Sequence, residues 1–250
     1  MRLENKVAII SGGAVGIGLG IAERFVVEGA KVLLFDVDGD ALQEAVTKIG
    51  RGPGTVQQFC GDATSAADAS DAVALAMREF KQIDILVNNV CVFTTGKLQE
   101  LTEDAWDRTM EVNLKSVYLF SREVVPGMLA RGKGKIINVS SAAGVLATKN
   151  CPLYCATKGG MNLLTKGMAV DYAPTIQVNA LAPHAAVTPL LERALAENPG
   201  LRESMLRDIP SGVFRTPEDC AAGAVYLASD EADQVTGHVL LVDGGVTAFY

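Results

Sequence analysis

Val7-Ala8-Ile9-Ile10-Ser11-Gly12-Gly13-Ala14-Val15-Gly16-Ile17-Gly18 is a strand, a glycine turn and the start of a helix in twelve residues. Four consecutive apolar residues, Val7 to Ile10, read as a strand covered on both faces, because a strand with one wet face alternates. From Ile17 onward apolar residues return at spacings of three and four, the period of a helix. Glycines between the two let the backbone turn tightly and come close to an anion seated at the helix start. The literal G-x-G-x-x-G pattern fails, since Ile21 stands where its third glycine belongs; G-x-x-x-G-x-G, using Gly12, Gly16 and Gly18, fits.

The same alternation continues along the chain. Val7–Ser11, Lys31–Asp36, Thr55–Cys60, Ile83–Asn88, Lys135–Ser140, Ile176–Ala180 and His238–Val242 read as strands. Helical periodicity occupies 17–29, 39–49, 65–80, 103–131, 153–173 and 217–229. This pattern predicts an α/β fold: a doubly wound parallel sheet of seven strands with helices on both faces, in a single domain over 1–250. Residues 183–216 break the rhythm with Pro183, Pro189, Pro199 and Pro210, and short helices are expected near 189–196 and 200–208. A long insertion after a strand's C-terminal end is a candidate lid over a ligand site.

Composition narrows the functional class. Of 250 residues 49% are hydrophobic, and the formal net charge is -7, which argues against nucleic acid and anionic membrane surfaces as partners. No apolar run approaches the roughly 18 residues of a membrane span, and Val7–Ile10 is too short for a signal-peptide core. The five cysteines (60, 91, 151, 155 and 220) include no C-x-x-C pair, and the two histidines, 184 and 238, offer no zinc spacing. Reduced thiols in a cytoplasmic protein without a bound metal are the expectation.

Several residues carry chemistry. Asp36 ends the second predicted strand, where a carboxylate can accept hydrogen bonds from an adenosine ribose and repel a 2′-phosphate. No Arg or Lys occupies the glycine turn and Val37 follows the aspartate, so NAD rather than NADP is expected. Asp62, after the third strand, suits an adenine amino group. Tyr154 and Lys158 are four apart and share a helix face, where the ammonium is expected to lower the phenol pKa from its reference of about 10. A strand-end hydroxyl nearby, that of Ser141, can hold a substrate oxygen against the phenol.

Together these residues resemble the short-chain dehydrogenase/reductase family, in its single-domain branch of roughly 250 residues. The markers are Ser11-Gly12-x-x-x-Gly16-Ile17-Gly18, Asp62, Asn88-Asn89, Asn113, Ser140-Ser141, Tyr154-x-x-x-Lys158, Asn179-x-x-x-Pro183, Thr188 and Asp243-Gly244-Gly245, and they span Lys6 to Gly245. The resemblance implies a Rossmann-type NAD-binding domain that interconverts secondary alcohols and ketones by hydride transfer. Tyr154 is then the general acid/base and Ser141 orients the substrate oxygen. Lys158 tunes Tyr154 and binds the nicotinamide ribose, and Asn113, in a distorted helical turn, helps a water link Lys158 to solvent. Cofactor contacts are implied for Ser11, Gly12, Gly16, Ile17, Gly18, Asp36, Val37, Asp62, Ala63, Asn89, Val90, Tyr154, Lys158, Pro183, Ala186 and Thr188. Thr188 is to bind the carboxamide together with the backbone near Ala186.

The chain departs from the family pattern at three places. Ser11 stands for threonine, Val90-Cys91 for Ala-Gly, and His184 for the glycine after Pro183. His184 is a candidate substrate contact beside Ser141 and Tyr154. The substrate pocket is expected from Val92–Gly96, Ala142–Leu153 and 184–215, with Phe93, Val145, Leu146, Leu153, Leu190, Met205 and Phe214 as lining and Asn150 as a polar contact. Gly159 and Gly160 inside the Tyr154 helix suggest close approach of a neighbour, and the family implies a homotetramer or at least a homodimer. A non-catalytic NAD sensor or scaffold, and an epimerase or dehydratase without net oxidation, remain alternatives.

Overall fold

A computed structural model describes residues 1–50 and 52–249. Among them seven strands, β1 (Val7–Ser11), β2 (Lys31–Asp36), β3 (Thr55–Cys60), β4 (Ile85–Asn88), β5 (Gly134–Val139), β6 (Ile176–Pro183) and β7 (Val239–Val242), form one parallel sheet in the order β3-β2-β1-β4-β5-β6-β7. Side chains alternate across it. Ala8, Ile10, Val32 and Leu34 bury one face against α1 (Gly16–Val27), α2 (Gly39–Ile49) and α9 (Pro217–Ala228). Ile9, Leu33, Leu86 and Ile136 bury the other against α3 (Ala66–Phe80), α5 (Ser116–Arg131) and α6 (Pro152–Tyr172). Both faces are covered, which is why the strands read as unbroken apolar runs.

The strand order reverses between β1 and β4, and this places the ligand crevice. All strands run the same way, so Asp36 ends a strand and Gly12, Asp62, Asn89, Ser141 and His184 follow one at the same edge of the sheet. At the opposite end Asp84 fastens β1 to β4. Its buried carboxylate accepts from the Val7 N–H at 2.8 Å and pairs with Arg131 at 2.9 Å.

Several strand and helix ends shift by one or two residues from the sequence reading, and two differences bear on the site. The helix expected over 103–131 is α4 (Glu103–Met110) and α5, joined by a π-helical turn over Glu111–Lys115 with Asn113 at its centre. The strand expected to stop at Ala180 continues to Pro183, which pairs with Val242. Proline removes a donor and reads as a stop, but β5 pairs with β6 only as far as Leu181, so Pro183 faces β7 alone, and the next N–H, that of His184, reaches the Val242 carbonyl at 3.3 Å. The segment after β6 carries α7 (Pro189–Glu197) and α8 (Leu201–Arg207), packed on their own small core around Ile209, Phe214 and Val246.

Candidate active site

A cleft of about 980 Å³ crosses the C-terminal edge of the sheet, from Asp36 and Asp62 to the segment after β6. Its floor is the glycine turn. Gly12 and Gly16 take left-handed backbone, φ +65° and +58°, and a Cβ on Gly18 would lie 2.0 Å from the Gly12 carbonyl oxygen. The helix above is left open on purpose-built terms: α1 starts after Val15 with no side-chain cap and no acid in its first turn. By contrast Asp38, Ser65, Thr102, Thr188 and Thr216 cap α2, α3, α4, α7 and α9. The first N–H groups of α1 and the positive end of its dipole therefore face a cleft lined by Val15, Gly16 and Ile17, which suits an anionic group such as a pyrophosphate.

Asp36, Val37, Asp62, Ala63 and Val90 wall the end of the cleft beyond the glycine turn. The Asp36 carboxylate accepts from the Ala14 N–H at 3.2 Å and the Val37 N–H at 2.8 Å, so it is locked to the glycine turn. Asp62 accepts from the Thr64 N–H and hydroxyl, both at 2.8 Å, and these bonds hold its carboxyl below the usual range. Asn89 lines the cleft while its amide donates to the Gly12 carbonyl at 2.7 Å. Ser11, Gly18 and Asn113 do not reach the cleft surface. They stand behind it. Ser11 Oγ accepts from the Asn89 N–H at 3.2 Å, and Gly18 packs on Gly12.

Ser141, Tyr154 and Lys158 meet at the end of β5. The two adjacent serines are set to different tasks. Ser140 is buried and donates to the Lys158 carbonyl at 3.2 Å, whereas Ser141 accepts from the Ala143 N–H at 3.1 Å and keeps its own proton to give. Lys158 is 1% exposed, and its Nζ donates to the Val139 carbonyl at 2.7 Å. That ammonium lies 5.7 Å from the centroid of the Tyr154 ring, and Phe93 packs edge-on against the same ring at 4.8 Å. One expectation is corrected here. Burial, with Cys91 nearby, pushes the Tyr154 phenol well above its ordinary value despite the opposing Ser141 hydroxyl. Lys158 serves the Val139 carbonyl rather than the phenol oxygen, and burial lowers its own pKa. The protein's groups thus hold Tyr154 as a neutral phenol. The Asn113 side chain is likewise fully engaged: its Oδ1 accepts from the Val92 N–H at 2.8 Å, and its Nδ2 donates to the Val92 carbonyl at 3.0 Å and to Thr157 Oγ at 3.1 Å.

A family model described as enoyl-(acyl carrier protein) reductase matches residues 12–247. Over 251 residues the chain is 38% identical to 2-(S)-hydroxypropyl-CoM dehydrogenase 3 of Xanthobacter autotrophicus, covering 99% of this chain and 98% of that protein. The chain belongs to the short-chain dehydrogenase/reductase family. It is 37% identical to the NAD-dependent glycerol dehydrogenase of Listeria innocua, over 98% and 95% of the two chains. A crystal structure of levodione reductase superposes with a TM-score of 0.94 at 29% identity, over the full length of both chains. The named relatives are dehydrogenases and reductases, and this short-chain dehydrogenase/reductase is an oxidoreductase.

Where the chain departs from the family pattern, the structure is specific. Cys91 is exposed and lines the cleft without left-handed backbone; Asn5, Lys81 and Asn150 are the non-glycine residues at positive φ among those described. Asn150 lines the cleft, and its carbonyl accepts from the Gly96 N–H at 2.7 Å. Pro183, His184, Ala186 and Thr188 all line it too, and the Thr188 hydroxyl also caps α7 through the Leu191 N–H at 3.3 Å. Of the apolar lining expected from sequence, Phe93, Leu190 and Met205 reach the cleft. Val145 points to solvent, Leu153 is buried, and Leu146 and Phe214 pack into the small core under α7 and α8. Leu191, Ala194 and Asn198 line the cleft and were missed, although their spacing of three and four marks one face of α7.

Gly18→Ala tests the floor. The Gly12 carbonyl lies in a tight turn and cannot yield freely, so a loss of about 2 kcal/mol of stability is expected by urea denaturation. An unchanged midpoint would show that the turn is looser than this contact implies.

Proposed function

We propose that this protein interconverts a secondary alcohol and a ketone using NAD, with Tyr154 as the proton-transfer group. The observation that carries the reading is the convergence of Ser141, Tyr154 and Lys158 in the cleft that also holds the uncapped α1 terminus and Asp36. These residues fit a nicotinamide dinucleotide: α1 takes the pyrophosphate, Asp36 the adenosine ribose, Asp62 the adenine, Lys158 the second ribose, and Ala186 and Thr188 the carboxamide. Asp36 and the lack of a cation in the glycine turn favour NAD over NADP. When bound, the cofactor accepts a hydride from the alcohol carbon or returns one to the ketone carbon.

The remaining work belongs to the chain. Ser141 donates its free proton to the substrate oxygen and holds it against Tyr154. In ketone reduction the phenol, kept neutral by burial, gives its proton to that oxygen as the carbonyl becomes an alcohol. In alcohol oxidation the phenol first gives its proton to solvent, a loss that the buried Lys158 charge favours, and the phenolate then takes the alcohol's proton as the hydride leaves. Asn113 is a positioning residue. It pins the loop after β4 to Thr157, next to Lys158. Of the segment expected as a lid, 183–216, Pro183 ends β6, and the rest acts as a lid over the substrate end.

The partners are a small alcohol or ketone and further copies of the chain. Gly160, Leu163, Gly167 and Val170 form a stripe along α6, on which Leu163 is 71% and Val170 81% exposed. A helix face of this kind is expected to be covered by its copy in a homodimer or homotetramer. The five cysteines are free thiols, the reading expected of a cytoplasmic protein; among the described residues no helix is long and apolar enough to cross a membrane.

Two variants test the reading. Tyr154→Phe is expected to lower kcat by about 10²- to 10⁴-fold on any secondary alcohol that the wild type oxidises, while NAD still binds; retained turnover would refute the role. Asp36→Ala is expected to weaken NAD about ten-fold, for the loss of about 1.5 kcal/mol of charge-assisted hydrogen bonding, and to relax the preference over NADP. Efficient use of NADP by the wild type would overturn the cofactor assignment.

A further inference from the structure

His184 puts an imidazole, where the family pattern has glycine, into the cleft that holds Ser141 and Tyr154, and its surroundings define what that ring can do. Its Nδ1 is buried without a hydrogen-bond partner, and its backbone N–H is spent on the Val242 carbonyl. A buried N–H with no acceptor is more costly than a buried lone pair whose proton sits elsewhere, so the neutral ring keeps its proton on the other nitrogen, Nε2. Charging the ring would place a second, unpartnered N–H in the buried position. Burial indeed lowers the His184 pKa, with Asp243 and Asp208 opposing and Arg215 assisting. Asp243 is itself committed to the Gly245 and Thr247 N–H groups and the Thr247 hydroxyl, at 2.9, 2.8 and 2.6 Å, so it is not a partner for the ring.

Resting on the dehydrogenase reading above, we infer that His184 is a specificity-determining residue that donates from Nε2 to a second, uncharged oxygen of the substrate. The substrate class is a diol or hydroxyketone rather than a simple alcohol. The reacting oxygen is held by Ser141 and Tyr154, so His184 reads another. A neutral donor suits a hydroxyl or carbonyl oxygen, and a carboxylate would call for the charged ring that the buried Nδ1 resists. Phe93, Leu190, Leu191 and Met205 leave the rest of the substrate an apolar wall.

The test compares matched pairs with NAD: cyclohexanol against cyclohexane-1,2- and 1,3-diol, and butan-2-ol against butane-2,3-diol and butane-1,3-diol. Wild type is expected to prefer the better diol by at least ten-fold in kcat/KM, beyond the two-fold that a second reactive hydroxyl gives by number alone. His184→Ala is expected to reduce that ratio to near two, and His184→Gln, which keeps an N–H donor, to restore part of it. A third probe, 2-hydroxycyclohexane carboxylate, is expected to gain nothing over cyclohexanol. Equal use of alcohols and diols by the wild type, a ratio unchanged in His184→Ala, or preference for the carboxylate would each overturn this inference alone. Turnover of none of these compounds or their ketones would overturn the dehydrogenase reading and this inference with it.

Discussion

The bond from Lys158 Nζ to the Val139 carbonyl, 2.7 Å long and sealed from water, is the contact on which the site depends. A buried ammonium is tolerated only where it finds acceptors, and here the acceptor is the last residue of β5. The bond therefore fixes α6 against the sheet end. Other contacts around it enforce the same register. Ser140 donates to the Lys158 carbonyl, and a Cβ on Gly144 would lie 2.7 Å from that same oxygen. With the helix seated, Tyr154, one turn earlier, falls beside Ser141.

From this anchor the constraint spreads through polar groups rather than apolar ones. Thr157 receives the Asn113 amide, and Asn113 grips both backbone groups of Val92, so the π-helical turn, α6 and the loop after β4 move as one body. Deeper in, Asn88 donates to Asn138 at 2.9 Å and Asn138 to Thr165 at 2.9 Å, tying β4, β5 and α6 below the site. On the other wall Asn89 and Ser11 hold the glycine turn. Each of these side chains satisfies buried backbone or amide groups, and so the cleft keeps its shape without large apolar residues at its floor.

Much of this was legible in the residues. The strands read as buried because they are apolar on both faces, and the glycine turn, Asp36, Ser141, Tyr154 and Lys158 all lie in or beside the cleft. What failed to show has physical causes. Periodicity alone does not show the π-helical turn, which only the family resemblance implied at Asn113, because apolar spacing runs through 103–131 without a break and one extra residue in a turn changes hydrogen bonding and not composition. Burial raises the Tyr154 pKa, and Cys91, distant in sequence, adds to it, so the i,i+4 lysine alone suggested the opposite shift. The lid misled for a related reason. Leu146 and Phe214 are as apolar as Leu190, but they fill the small core that supports α7 and α8, and one-dimensional hydrophobicity does not distinguish lining from support.

The central proposal is that the buried Lys158 ammonium, although it bonds the Val139 carbonyl and not the phenol, offsets part of the burial that holds Tyr154 neutral. It is tested most directly by the pH dependence of kcat for alcohol oxidation in wild type and Lys158→Met, at saturating NAD. Oxidation needs the phenolate, so the rate rises as pH passes the phenol's pKa in the ternary complex. Removing the ammonium takes away a charge that favours the phenolate. The account predicts that this limb moves to higher pH by about one unit or more in Lys158→Met, since one unit corresponds to about 1.36 kcal/mol of lost interaction. A limb at the same pH in both proteins would contradict it.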